Sequence, residues 1–437
     1  MTTDANETGR PVRVGLLGCG NVGGALLELL ARDADLIEVR TGQRIEVTRV
    51  AVHNPAKARS VVLPEGVLTH DAEAVVVSDD VDVVVEVIGG IEPARSLILD
   101  ALKAGKPVVT ANKELLATLG SELFEAAEAA GVDLLFEAAV AGGIPIIRPL
   151  RESLAGERVR RVMGVVNGTT NYILTRMTEA GASYTQALAE AQSLGIAERD
   201  PTADVEGYDA SAKAAIIACI AFGQRIVAGD VYREGITGLT NADIAFATRT
   251  GFVVKLLAVA EQGDDGQVAV RVHPAMVPNT HPLAGVRESF NAVFVEGDAV
   301  GELMFYGRGA GGPPTASAVL GDLLDAAHGL HSGAPGRLPV LGRPRMRPID
   351  ELESAYYVSL LVADRPGVLA AVAGVFGHHG VSIKSMEQAI DATSGEARIE
   401  FITHQARERD MQATLAGLAH LDAVDRIGGL VRVIEAS

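Results

Sequence analysis

The chain has 437 residues, enough for two to four domains at roughly 100–200 residues per domain. Its 48% hydrophobic and 22% charged residues are typical of a globular protein, and its formal net charge of −18 disfavours nucleic acids and anionic membranes as partners. The only cysteines, Cys19 and Cys219, lie far apart, which excludes a disulfide scaffold and a cysteine zinc site. A polar, acidic N-terminus and strand-sized apolar runs predict a cytoplasmic protein without a membrane span.

Short β-branched segments alternate with longer alanine- and leucine-rich segments in the first third of the chain. The predicted strands are Val12–Leu17, Ile45–Val52, Val83–Ile88, Pro107–Thr110 and Leu134–Phe136, and the predicted helices are Asn21–Arg32, Glu92–Ala104 and Lys113–Ala130. Strands that are apolar on both faces and separated by helices indicate a parallel sheet covered on both sides.

A second region with a different pattern is predicted over residues 146–330. Its predicted strands are Arg158–Val166, Val268–Val272, Ala292–Val295 and Glu302–Tyr306, and its predicted helices are Thr169–Glu179, Tyr184–Ser193 and Asp209–Phe222. This mixture indicates an α+β domain. A further helix, Pro313–His328, is expected to pack back on the first domain. Residues 331–353, rich in glycine, proline and arginine, are interpreted as a linker.

The last segment, residues 354–437, has the element order βαββαβ. Its predicted elements are strand Tyr356–Val362, helix Val368–His378, strands Val381–Gln388 and Ala397–Thr403, helix Glu408–His420 and strand Val424–Val433. This order is typical of a ferredoxin-like fold. The fold class is therefore α/β, with a small C-terminal α+β module.

A glycine-rich segment, Gly18-Cys19-Gly20-Asn21-Val22-Gly23, lies directly between the first predicted strand and the first predicted helix. It fits the pattern G-x-G-x-x-G. The first glycine permits a tight turn, the second lets a pyrophosphate approach the backbone, and the third lets helix and strand pack closely. We therefore predict a Rossmann-like dinucleotide-binding domain over residues 1–145, with Gly18, Gly20, Asn21, Val22 and Gly23 at the cofactor.

The second predicted strand ends without the acidic residue that would bind a ribose 2′-hydroxyl. It ends Val52-His53-Asn54-Pro55, and Lys57 and Arg59 follow. Because no carboxylate there repels a 2′-phosphate and two cations are near, this end favours NADP over NAD. Solvated surface charges on a loop explain the same residues, so NAD stays possible.

The segment Ala191–Lys213 combines many carboxylates with a proline and a glycine and runs into an apolar helix. Asp209 and Lys213 are four residues apart and therefore share one helix face. A surface ion pair would explain this spacing. The helix that follows is apolar around much of its circumference, which favours a buried pair in a cleft instead.

The pattern from Ala191 to Lys213 resembles that of the homoserine dehydrogenase family at every position. The segments Asn167–Tyr172, Thr110–Glu114 and Glu137–Pro145 are similar to that family and in its order. The segment Asp364–Leu369 resembles the opening of an ACT domain, a small amino-acid-sensing module. Together these similarities extend from Val12 to the end of the chain.

The resemblance implies reversible NAD(P)-dependent interconversion of L-homoserine and L-aspartate 4-semialdehyde, a step toward threonine, methionine and isoleucine. It implies that Lys213 is the acid/base residue and that Lys113 is a second catalytic lysine that also reaches the cofactor. It assigns Glu198 and Asp209 to the amino-acid substrate, and Gly195 and Gly307 to the cofactor.

The resemblance also implies a monovalent cation, sodium or potassium, bound by Glu137 and the backbone carbonyls of Val140, Gly142 and Ile144. A glycine hinge between domains is an alternative interpretation of these residues. The ACT domain implies an amino-acid effector, for which threonine is expected. By the same resemblance the protein is expected to be a homodimer or homotetramer.

Two other functions compete with this interpretation. Hydroxyacid and prephenate dehydrogenases that carry an ACT domain also need a nucleotide-binding fold, but neither family has the Ala191–Lys213 pattern. A non-catalytic amino-acid sensor would be favoured by loss of Lys213 or Glu198, and both residues are present.

Overall fold

The computed structural model describes residues 10–59, 61–332, 341–390 and 397–435. The strands are β1 (Val12–Leu17), β2 (Ile45–Ala51), β3 (Leu68–Thr69), β4 (Val83–Glu86), β5 (Val108–Thr110), β6 (Leu134–Leu135), β7 (Val159–Val165), β8 (Tyr232–Arg233), β9 (Phe252–Gln262), β10 (Val268–Pro278), β11 (Phe290–Gly297), β12 (Gly301–Arg308), β13 (Glu353–Val362), β14 (Ile383–Ile390), β15 (Ala397–Thr403), β16 (Ala406–Arg407) and β17 (Val424–Val433). The helices are α1 (Asn21–Thr41), α2 (Ala72–Val77), α3 (Ala94–Lys103), α4 (Lys113–Ala130), α5 (Gly168–Ala180), α6 (Tyr184–Ser193), α7 (Thr202–Val205), α8 (Tyr208–Phe222), α9 (Asn241–Arg249), α10 (Gly312–Ser332), α11 (Val368–His378) and α12 (Glu408–Ala419).

The chain forms two compact units, each made of several segments. The first unit comprises residues 1–162, 212–230 and 291–344, and the second comprises residues 163–211, 231–290 and 345–437. The chain passes from the first unit to the second within β7, and from the second back to the first within α8. The predicted functional modules stay predictions; they are the dinucleotide-binding domain, the α+β domain, the linker and the C-terminal module, over residues 1–145, 146–330, 331–353 and 354–437.

The first unit contains a parallel sheet with the strand order β3-β2-β1-β4-β5-β6. The parallel sheet predicted from the apolar strands is confirmed. The order reverses between β1 and β4, and in such sheets ligands bind beyond the carboxyl ends of the strands at this reversal. The segments that follow β1 and β4 are therefore the first candidates for a binding site.

Helix α10 completes the core of the first unit. Its side chains Ala316, Val319 and Leu323 are fully buried and pack in one cluster with β1 and α1. The expected return of this late helix to the first domain is confirmed, although α10 runs longer than the predicted Pro313–His328. Helix α1 also continues past the predicted Arg32, after a break in helical geometry at Asp33.

In the second unit, the strand order is β9-β10-β17-β13-β15-β14. The elements β13, α11, β14, β15, α12 and β17 have the predicted ferredoxin-like order, and their core includes Tyr356, Phe376 and Phe401. Strand β17 pairs with β13 and also, over Arg432 and Val433, in parallel with β10. The C-terminal module thus shares a sheet with the strands that precede it.

The predicted linker is in part a hydrogen-bonded segment. Residues 333–340 lie outside the described residues. Beyond them, the backbone N–H of Val268 donates to Arg345, and the backbone N–H of Arg347 donates to Val268, at 2.8 and 2.9 Å. Residues 345–347 therefore extend the pairing of β10. In the described part of the chain, no helix is both long enough and apolar enough to cross a membrane.

Candidate active site

The glycine-rich turn after β1 shows why three glycines are needed there. Gly18 has a φ of +101°, and a Cβ there would lie 2.9 Å from the carbonyl oxygen of Val87. A Cβ on Gly23 would lie 2.2 Å from the carbonyl oxygen of Gly18. Gly20, at the N-terminus of α1, has nothing within 4 Å of a Cβ position. Bare backbone next to open space at a helix N-terminus suits a pyrophosphate.

The loop after β4 is fixed by a buried carboxylate. Glu86 is fully buried, and one of its oxygens accepts the backbone N–H groups of Ile88 and Gly89 at 2.7 and 2.9 Å. Its other oxygen accepts the hydroxyl of Thr110 at 2.6 Å. The carboxyl ends of β4 and β5 are therefore joined by one side chain.

Lys113 is the first residue of α4 and follows this junction. The side chain of Asn112 caps the helix by accepting the N–H of Leu115 at 3.1 Å, and it donates to the carbonyl of Gly90 at 2.6 Å. Lys113 is therefore held at the sheet edge that carries the glycine turn. The positive end of the helix dipole disfavours a cation at this position, so a structural role explains this lysine poorly.

Two further glycine segments of the first unit contact each other. A Cβ on Gly142, where φ is +58°, would lie 2.4 Å from the carbonyl oxygen of Gly309, and a Cβ on Gly307 would lie 3.2 Å from Ile144. Gly312 approaches the glycine turn, because a Cβ there would lie 2.7 Å from the carbonyl oxygen of Asn21. The expected cofactor residue Gly307 and the expected cation loop therefore belong to one continuous backbone cluster.

The carboxylate of Glu137 is buried and surrounded by backbone donors. It accepts the N–H groups of Ile146, Ile147 and Arg148 at 2.5, 2.7 and 2.8 Å. The sequence interpretation made Glu137 a cation ligand, and this stays a prediction; in the structure its carboxylate fixes residues 146–148. Within the described residues there is no cluster of three or more acidic, histidine or cysteine side chains able to hold a metal ion.

The residues after β2 are tied together by Arg59. Its guanidinium donates to the carbonyl oxygens of Asn54, Pro55 and Lys57 at 2.6–2.9 Å. Lys57 is exposed. Burial raises the pKa of the nearby Cys19 thiol, an effect that Arg59 opposes. Of the two cations expected near a 2′-phosphate, Arg59 has a structural role in this loop.

The second unit contains a polar cluster at the N-terminus of α5. Asn167 is buried, and its side-chain oxygen accepts the N–H of Thr170 at 2.9 Å, which caps the helix. Its side-chain nitrogen donates to Asp204 at 2.7 Å and to Asp209 at 2.9 Å. The hydroxyl of Thr169 donates to the carbonyl of Ile196 at 3.1 Å. The start of α5 therefore bonds to residues 194–207, the segment between α6 and α8 that we call the acidic loop, and to Asp209 at the start of α8.

The remaining expected residues of this loop are more exposed. Gly195 follows α6 with a φ of +71°, a conformation that favours glycine. The side chain of Glu198 is exposed, and its backbone carbonyl accepts the side-chain amide of Gln192 at 3.1 Å. The guanidinium of Arg233 lies 3.5 Å over the ring of Tyr208. Glu198 therefore lies exposed in the segment between α6 and α7, whereas Asp209 lies in the first turn of α8.

Helix α8 carries both Asp209 and Lys213. Lys213 is only 8% exposed, and the helix around it is formed mainly of buried alanine and isoleucine. One helical turn separates the two residues, so they lie on the same face. A buried lysine is unusual unless it has a function or a partner. Lys213 is therefore buried and Asp209 half-buried, and a buried pair of the two stays a prediction.

The structure thus divides the expected site residues between the two units. The first unit contains Gly18, Gly20, Asn21, Val22, Gly23, Lys113, Lys213 and Gly307, together with Glu137, Val140, Gly142 and Ile144; the second contains Gly195, Glu198 and Asp209. The sequence interpretation gave no role to Glu86, Asn167 or Asp204. An asparagine before Gly168-Thr169-Thr170 is a helix-capping pattern that identifies the first turn of α5, but no spacing rule connects it to Asp204.

Comparisons with known proteins identify the family of this chain. Family models described as homoserine dehydrogenase, as its NAD-binding domain and as the ACT domain match residues 145–324, 18–137 and 356–417. The homoserine dehydrogenase of Mycobacterium tuberculosis is 50% identical over 433 residues, which cover 97% of this chain and 98% of that protein.

Solved structures give the same result. The crystal structure of a homoserine dehydrogenase from Thiobacillus denitrificans has a TM-score of 0.92 and 42% identity, over 98% of this chain and 99% of that one. A hyperthermophilic archaeal homoserine dehydrogenase solved in complex with NADPH has a TM-score of 0.64 and 28% identity, over 75% of this chain and 100% of that one. With its glycine turn, its buried helical lysine and its C-terminal ACT domain, this chain belongs to the homoserine dehydrogenase family of NAD(P)-dependent oxidoreductases.

Proposed function

We propose that this chain interconverts L-homoserine and L-aspartate 4-semialdehyde, a step toward threonine, methionine and isoleucine. The observation that carries the proposal is the burial of Lys213 in α8, one turn after an aspartate held in an acidic cluster. Oxidation of an alcohol needs an acceptor for the hydride and a base for the hydroxyl proton. A bound nicotinamide supplies the hydride acceptor.

Lys213 holds and moves the proton in this proposal. In the reducing direction its ammonium donates a proton to the oxygen that forms the alcohol, and in the oxidising direction the amine takes this proton back. Lys113, at the start of α4, is the second catalytic lysine and stands at the sheet edge beside the glycine turn. Its charge favours the developing alkoxide and the cofactor phosphates.

Carboxylates suit the amino group of the substrate. Glu198 and Asp209 are proposed to bind the ammonium of homoserine, because an ion pair with a charged amino group needs acceptors that carry negative charge. Gly195, which has no side chain and lies next to this loop, is proposed to contact the cofactor. A substrate with no amino group would not form this ion pair.

A direct assay tests the reaction. Purified protein is mixed with homoserine and NADP, and reduced nicotinamide is followed at about 340 nm. A signal that requires homoserine supports the proposal. A signal only with prephenate or a 2-hydroxy acid would make the protein another dehydrogenase, and no signal with any substrate would make it a sensor. The control variant is Asp100→Asn, which removes a surface carboxylate that pairs with Lys103 at 3.2 Å and should keep the activity.

We propose NADP as the preferred cofactor, with NAD also accepted. Support comes from the lack of a carboxylate after β2 and from the exposed Lys57 in that loop. The archaeal relative was solved with NADPH. The ratio of kcat/KM for NADPH over NADH measures the preference, and a ratio below one would contradict it.

A monovalent cation, sodium or potassium, is proposed to bind the backbone carbonyls of Val140, Gly142 and Ile144. Glu137 is proposed as a further ligand, and its three N–H donors hold the backbone next to the site. Carbonyl oxygens suit a hard, singly charged ion. Dialysis against a buffer that contains only tetramethylammonium, followed by thermal unfolding with and without added sodium or potassium, tests the site.

The ACT domain is proposed to sense an amino acid, threonine in our expectation, and to regulate the enzyme. The guanidinium of Arg432 donates to Glu408 of α12 at 2.8 Å and to Glu234 at 2.9 Å. Ile236 lies two residues after Glu234, and its backbone N–H donates to the carbonyl oxygen of Val205 at 2.8 Å. Val205 is next to Asp204. This short segment therefore connects the ACT domain to the acidic loop within the second unit.

A homodimer or homotetramer in the cytoplasm is proposed as the working form. The exposed apolar side chains Leu369, Met386 and Ile390 of the ACT domain support association of copies. Light scattering coupled to size exclusion gives the mass in solution, and a monomer would contradict this part of the proposal.

A further inference from the structure

We propose that Asn167 is a positioning residue that holds the carboxylates of Asp204 and Asp209 in place beside each other. The inference rests on the proposed function in one respect, because Asp209 is there assigned to the substrate. Asn167 is not proposed to contact the substrate or the nicotinamide. It acts through the two carboxylates that it binds.

The hydrogen bonds of Asn167 fix the orientation of its amide. Its side-chain oxygen accepts from the N–H of Thr170 at 2.9 Å, so the NH₂ group must point the other way. That nitrogen lies 2.7 Å from an oxygen of Asp204 and 2.9 Å from an oxygen of Asp209. Ionised carboxylates only accept hydrogen bonds, which agrees with the same orientation. Each N–H hydrogen of the amide therefore serves one carboxylate.

This arrangement brings two negative charges to one nitrogen. Two carboxylates repel each other, and a neutral amide that donates to both offsets this repulsion and fixes their positions. Asn167 is only 5% exposed, so water replaces its two donors poorly. The amide thus keeps both acceptors ready for a cationic amino group.

A purely structural role for Asn167 makes a different prediction. As the cap of α5 it uses only its oxygen, and an aspartate oxygen caps a helix equally well. Asn167→Asp therefore keeps the shape and the cap, removes both donors and adds a like charge. Asn167→Ser also keeps a capping oxygen and adds no charge. If the residue were only a cap, Asn167→Ser would behave as wild type.

The test is steady-state kinetics with thermal unfolding as a check on folding. We expect Asn167→Asp to raise the KM for homoserine about 10–100-fold, with a smaller rise in Asn167→Ser, because bonds to charged groups are lost. We expect kcat to change less than KM, because Asn167 contacts no reacting atom. The Kd for NADP should stay within twofold, because the glycine turn is not altered.

Two results would overturn the inference. One is an Asn167→Ser enzyme with the wild-type KM for homoserine. The other is an equal loss of homoserine and NADP binding in both variants, which would indicate misfolding at the α5 cap. Crystal structures of wild type and Asn167→Ser separate this inference from the proposed function. If homoserine is no substrate but the carboxylates of Asp204 and Asp209 are displaced in Asn167→Ser, the positioning role stands and the proposed reaction fails.

Discussion

The carboxylate of Asp322 accepts the backbone N–H of Glu137 at 2.7 Å, although both residues are acidic and buried. Burial and the negative charge of Glu137 raise the pKa of Asp322 to about 7, against the ordinary value of 3.8. Arg148 donates to the same carboxylate at 3.2 Å and opposes this rise. Helix α10 is thus attached to the loop of Glu137 through a group that titrates near neutrality.

This contact predicts a pH-dependent stability. Because the folded pKa lies above the unfolded one, the folded protein binds more protons between about pH 4 and pH 7, and its stability falls as pH rises through that window. Asp322→Asn keeps an acceptor for the N–H of Glu137 and cannot ionise. We expect the variant to lose on the order of 2–4 kcal/mol of this pH dependence. Urea unfolding at pH 5 and pH 8 measures the free energy of unfolding of both proteins. An equal change between the two pH values in wild type and Asp322→Asn would refute the assignment.

The glycine turn offers a matched pair of substitutions. Gly23→Ala places a methyl group 2.2 Å from a backbone oxygen and should destabilise the protein without any cofactor. Gly20→Ala meets nothing within 4 Å, so we expect a stable protein with weaker NADP binding, because the methyl group occupies the place of the pyrophosphate. Thermal unfolding and NADP titration of both variants are the measurements. Tight NADP binding by Gly20→Ala would remove this turn from the cofactor site.

Substitution of Arg59 and substitution of Lys57, the two cations after β2, should affect cofactor binding differently. Arg59→Ala removes three hydrogen bonds to loop carbonyls, so we expect lower thermal stability and weaker binding of both nicotinamide cofactors. Lys57→Ala should mainly raise the KM for NADPH, by about 5–20-fold, and leave that for NADH unchanged, because a 2′-phosphate is the group that needs its charge. Equal changes for both cofactors in Lys57→Ala would show that this lysine does not distinguish them.

The link from the ACT domain to the acidic loop predicts a regulatory phenotype. Glu234→Gln weakens one of the two ion pairs of Arg432 and leaves Glu408 in place. We expect basal turnover near wild type and threonine inhibition weakened about 3–10-fold, because the segment before Ile236 follows the ACT domain less closely. Glu353→Gln, which affects only an exposed pair with Arg407 at 3.4 Å, is the control. Loss of threonine inhibition in both variants would contradict a specific role of the Arg432–Glu234 ion pair in regulation.

The sequence predicted those features that depend on local pattern. The bounds of α4, α6, α11, β15 and β17 agree with the predicted ones, because apolar periodicity and capping residues determine them locally. The missed features depend on contacts between distant segments. Nothing in the spacing indicates that Asn167 bonds to Asp204, and the pairing of β17 with β10 follows from tertiary packing. Strand β9 was also missed, since its apolar run lacks alternation.

The central claim is that Lys213 moves the proton of the reaction. Replacement by alanine should lower kcat about 10²–10⁴-fold and leave the Kd for NADP within twofold, because proton transfer contributes to the transition state and not to cofactor binding. Lys103→Ala, at an exposed lysine paired with Asp100, should keep wild-type activity. The decisive measurement is kcat of Lys213→Ala with homoserine and saturating NADP: a loss of at least 100-fold is predicted, and turnover within a few-fold of wild type would contradict the account.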